Sequence, residues 1–61
     1  MTPAELENRA AAMYGREWQT RVAERVSVDA RTVRRWKAGD REIPGWLVFV
    51  LGVLERHAEE R

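Results

Sequence analysis

Apolar residues recur along this chain every three or four positions, and polar breaks divide the pattern into four helical stretches. The first opens on Thr2-Pro3-Ala4-Glu5, which reads as a capping box with proline at N1. It carries Leu6, Ala10 and Met13 as a thin packing stripe and stops at Gly15. After a short link, Arg16-Glu17-Trp18, a second helix is expected from about Trp18 to Arg25, with Trp18, Val22 and Val26 on one face. Ala23 is small enough to let another helix approach closely, while Arg21, Glu24 and Arg25 point outward. The chain turns at Ser27, Val28 tucks back, and a third helix follows from an Asp29 N-cap to a stop at Gly39. Residues 39–42 form a polar loop. Ile43-Pro44 then restarts the chain, with proline at N1 of a last helix over about 44–59. The polar tail, His57–Arg61, is expected to fray. The run WLVFVL has the residue types of a β-strand, but no second strand exists to pair with it.

Two of these helices carry more than a packing stripe. At about 100° per residue, Arg31, Arg34, Arg35 and Ala38 fall on one side of the third helix. Val33 and Trp36 fall opposite, with Thr32 beside them. Like charges at that spacing repel, and a polyanion lying along the edge turns that repulsion into attraction. On the last helix Phe49, Val53, Trp46, Val50, Leu54, Leu47 and Leu51 cover an arc of roughly 200°, with Val48 beyond it. That is about twice the stripe one core requires. The surplus fits either a central helix wrapped by the other three or a homodimer seam. The small size of the monomer core favours the seam, made by Trp46, Phe49, Val50, Val53 and His57.

Charge sharpens the first of these readings. The net charge is only +1, yet residues 16–41 hold eight basic side chains against four acidic ones. Screening confines a field to about a Debye length, so this local excess matters more than the sum. A pI near 8.4 still lies below the value above 9 typical of an overtly basic nucleic-acid domain. Trp18 and Trp36 lie on core-facing sides, so packing rather than base stacking is their expected role.

Length and composition exclude several classes. A chain of 61 residues is one small domain, 1–61, that buries about 60% of its unfolded surface. With no cysteine and a single histidine, His57, there is no disulfide and no zinc site. No cofactor or small-molecule ligand is expected. The N-terminus lacks a signal peptide's apolar region, and the longest apolar run is too short for a membrane span. A cytoplasmic setting is the default expectation. An enzyme is not expected either: no nucleophile–base pair, metal cluster or glycine-rich phosphate loop is visible.

The segment 19–38, QTRVAERVSVDARTVRRWKA, resembles the helix-turn-helix of the phage-repressor (Cro-like, XRE) family. Val22, Val26, Val28, Val33 and Trp36 match its buried positions, and Ala23 matches the small residue where the two helices cross. The resemblance implies an all-α, repressor-like domain of four or five short helices that reads double-stranded DNA. Ala30, Arg31, Arg34 and Arg35 fall on its base-reading positions. Gln19 falls on a position that often contacts phosphate, and Thr20, Thr32, Lys37 and Arg41 are further phosphate candidates. Ser27 departs from the family's usual glycine, at a cost of about 1 kcal/mol if the turn is left-handed. The segment 41–54, leading into an apolar last helix, also resembles the smallest phage regulators, including anti-CRISPR-associated repressors, whose final helix commonly makes the dimer. The expected function is therefore transcriptional regulation, a homodimer repressing from an inverted repeat. Two other classes fit the same residues: a protein-interaction module (antitoxin or adaptor), and a DNA-bending recombination accessory.

Overall fold

The computed structural model describes residues 1–59 and is all-helical there. Helix α1 spans Pro3–Tyr14, a 3-10 turn covers Gly15–Glu17, α2 spans Trp18–Val26, α3 spans Ala30–Ala38 and α4 spans Gly45–Glu59. Local chemistry sets most of these boundaries. The Thr2 hydroxyl accepts from the Glu5 amide at 3.1 Å and Pro3 opens α1, but among the described residues the Glu5 side chain makes no return bond to the Thr2 amide, so the expected capping box is half formed. Gly15 ends that helix at φ 72°, donating its amide to the Ala11 carbonyl.

Both α2 and α3 close with a residue in the left-handed region, φ 58° at Ser27 and 81° at Gly39. The amide one position later then reaches back five residues, Val28 to Ala23 and Asp40 to Arg35, each at 3.0 Å. These bonds satisfy carbonyls that would otherwise be orphaned at the helix ends. Among the described residues Ser27 is the one non-glycine with positive φ. It therefore holds the turn that glycine would hold more cheaply. Ser27→Gly is expected to raise stability by up to about 1 kcal/mol, read as a higher midpoint in chemical denaturation.

Three boundary expectations need correction. Asp29 occupies the N-cap position, but its carboxylate makes no capping bond; its backbone carbonyl accepts from Thr32 at 2.9 Å instead. Pro44 stands just before α4 rather than at its N1, and its carbonyl accepts from the Leu47 amide at 3.1 Å. The tail expected to fray from His57 is still helical to Glu59; residues 60–61 lie outside the described residues.

One core serves all four helices. Leu6 and Ala10 of α1, Trp18, Val22 and Ala23 of α2, Val33 and Trp36 of α3, and Leu47 and Leu51 of α4 are buried together. No side-chain nitrogen or oxygen is buried without a partner among the described residues. The last helix is not central. It rests mainly on α1 through its Leu47–Leu51 side, so the alternative of a core helix wrapped by three others does not hold. No helix among the described residues is long and apolar enough to cross a membrane.

A two-pronged ion pair fixes α4 on α1. Arg9 donates from Nε and Nη2 to the two carboxylate oxygens of Glu55, at 3.0 Å for the Nε contact. The hydrogen bond from Arg9 holds the Glu55 carboxyl below its usual range, and the same bond raises Arg9. A depressed carboxyl adds stability above its unfolded value, about 4.3, and loses it as pH falls through the folded value. Because both side chains are about one-third exposed, the pair contributes under about 1 kcal/mol. Glu55→Gln should therefore cost that much at pH 7, with the two proteins converging well below pH 4.3 in denaturant titrations.

Candidate nucleic-acid interface

Two large apolar anchors orient α3. Val33 is fully buried and Trp36 is 3% exposed. Their burial turns the opposite edge outward, and Arg31, Arg34 and Arg35 are all exposed along it. Among the described residues, none of the three guanidinium groups forms a hydrogen bond or ion pair. Leaving three like charges unpaired at i, i+3 and i+4 is locally unfavourable.

The rest of the α3 environment holds that edge in place. Ala23 lies buried on the α2 face, where its short side chain permits close approach. At the far end the Trp36 ring meets Trp46 of α4 edge-on, with centroids 6.1 Å apart and planes at 77°. That geometry is favourable for aromatic pairs. Trp36 thus joins the back of the arginine edge directly to α4.

The other sequence candidates are distributed unevenly. Ala30 is half-buried and packs against the core at the flank of the arginine edge. Thr32 is half-buried at the opposite flank, Thr20 is exposed on α2, and Arg41 is exposed in the loop after α3. Gln19 of α2 and Lys37 of α3 both line an open cleft bordered by α1 and the 3-10 turn. Lys37 Nζ lies 3.9 Å from Glu7 Oε2, so an acidic residue of α1 already competes for it. Arg16 lines the same cleft. In the sequence Arg16 reads as linker, because its place beside Lys37 depends on how α1 packs on α3. Arg21, by contrast, is engaged by Glu17 and Glu24 at 3.8 and 3.6 Å.

The proposed seam residues lie mostly on the uncovered side of α4. Phe49 is 75% exposed, Trp46 48% and Val53 40%, with Val48 also exposed on the far edge. Val50 is half-buried between that face and the core. His57 is exposed one turn beyond Val53, at the mouth of a groove it shares with Tyr14, Arg21 and Arg25. Compared with protein-family models, with curated proteins and with solved structures, the chain matches none.

Proposed function

We infer that this chain is a sequence-specific double-stranded DNA-binding regulator with a four-helix, helix-turn-helix domain of the Cro-like phage-repressor kind. The observation that carries the reading is the row of three exposed guanidinium groups on α3, without a hydrogen bond or ion pair among the described residues and backed by Val33 and Trp36. In this arrangement α3 enters the major groove while α2 crosses the backbone. Arg31 and Arg35 face base edges, Arg34 a base or a phosphate, and Ala30 a thymine methyl. Gln19, Thr20, Thr32, Lys37 and Arg41 position the protein on phosphates without reading sequence.

The exposed apolar face of α4 supplies the second half of the proposal. Packed against its symmetry mate, it sets two arginine edges on successive major grooves, roughly 34 Å apart. The target is then an inverted repeat, and repression follows from occupying a promoter. Selection of bound duplexes from a random pool at two salt concentrations tests this. A palindromic consensus supports it, and a pool that enriches nothing at low salt overturns it.

The cleft beside α1 yields a separate expectation. Lys37→Ala weakens binding to all duplexes alike and reduces the salt slope by about one. Glu7→Gln, which frees Lys37 from its competitor, strengthens binding to all duplexes alike. Fluorescence anisotropy across a salt series reads both effects.

A second reading is favoured by the exposure of Phe49. The same face of α4 suits a different protein partner, as in an antitoxin or adaptor. A stoichiometric complex with such a partner, together with no DNA retention at low salt, would establish it instead.

A further inference from the structure

The geometry points to a pair of guanines as what this edge reads. Arg31 and Arg35 each take one guanine of the same half-site, no more than two base-pair steps apart, and Arg34 takes a backbone phosphate. This rests on the DNA-binding reading above and adds the chemistry of the target to it.

The composition of the edge is the first argument. Adenine is read by asparagine or glutamine and cytosine by a carboxylate, whereas arginine's fork matches guanine O6 and N7. Between Arg31 and Ala38 the outward edge of α3 offers arginine and alanine and no side-chain amide or carboxylate. Gln19, an amide near this surface, instead lines the cleft with Lys37 on the α1 side.

Spacing is the second argument. Four residues of helix advance about 6 Å and return to within about 40° of the same direction. Arg31 and Arg35 therefore project nearly in parallel, and stacked bases about 3.4 Å apart place their targets one or two steps from each other. Arg34 diverges from Arg35 by about 100°, toward the groove wall where phosphates lie. The roll of the helix is fixed by Val33 and Trp36 and by the Trp36–Trp46 contact, so this direction is set before DNA arrives. Among the described residues no carboxylate pairs with these arginines, so none of those must be displaced first.

The test begins with the half-site enriched from a random duplex pool by the full chain. Each guanine in it is then replaced singly by 7-deazaguanine, which removes the N7 acceptor. Dissociation constants are measured for wild type, Arg31→Ala, Arg34→Ala and Arg35→Ala, with circular dichroism confirming that each variant folds. The expected result is a roughly 3- to 10-fold loss in wild type at two guanines within two steps. Arg31→Ala abolishes the penalty at one of them and Arg35→Ala at the other, while Arg34→Ala preserves both. A consensus without such a guanine pair, or penalties indifferent to Arg31 and Arg35, overturns the inference and leaves DNA binding standing. A pool that enriches no duplex overturns both.

Discussion

Replacing Arg31, Arg34 and Arg35 together by alanine is expected to abolish specific DNA binding while leaving the domain as stable as before, or slightly more so. The two effects separate because the side chains are exposed and form no hydrogen bond or ion pair among the described residues. Removing like charges at i, i+3 and i+4 relieves about 0.2–0.5 kcal/mol per pair. Each base-reading arginine, by contrast, supplies about 1–3 kcal/mol of discrimination. Losing the two base contacts of Arg31 and Arg35 and the phosphate contact of Arg34 should therefore cost on the order of a thousandfold in affinity for the preferred site, bringing it toward the non-specific level. Equilibrium binding and chemical denaturation on the same preparations check the pair of outcomes. If the triple variant binds as wild type does, the assignment of α3 is wrong. If it instead loses stability, the arginines have a structural role that their exposure contradicts.

The second large effect is expected at Phe49→Glu. In an isolated subunit a carboxylate at a position 75% exposed is well hydrated and costs little. Across a two-fold seam, two such carboxylates would be desolvated close together, a repulsive and strongly penalised arrangement. Sedimentation should show wild type as a dimer and the variant as a folded monomer. Binding to an inverted repeat should fall by about a hundredfold, because the second half-site is then no longer held at high effective concentration. Binding to an isolated half-site should hardly change. A wild-type chain that is monomeric at tens of micromolar would remove the dimer from the account, leaving the arginine edge to act alone.

The helix boundaries were largely legible because the residues that fix them act locally. Thr2, Pro3, Gly15 and Gly39 cap or stop their helices through their own backbone and side-chain chemistry. The arginine edge was legible for a similar reason, since period alone places Val33 and Trp36 opposite Arg31 and Arg35. The last helix was less so. An apolar arc of roughly 200° does not say which half turns inward, and only packing on α1 selects Leu47 and Leu51. Contacts distant in sequence were not legible at all. Arg9 and Glu55 are 46 positions apart, and the gathering of Arg16, Gln19 and Lys37 depends on the tilt of α1. Asp29 failed differently: the position was right, but the backbone carbonyl does the capping that the side chain was expected to do.

Arginine side chains can themselves report which surface meets the duplex. In chain labelled with nitrogen-15, the Nε–Hε resonances of Arg31, Arg34 and Arg35 are followed by NMR as an enriched duplex is titrated in. The account predicts that these three shift most and saturate together at one subunit per half-site, while the Arg9 resonance, held by Glu55, stays in place. Shifts concentrated at Trp46 and Phe49, with the three arginines unmoved, would contradict it.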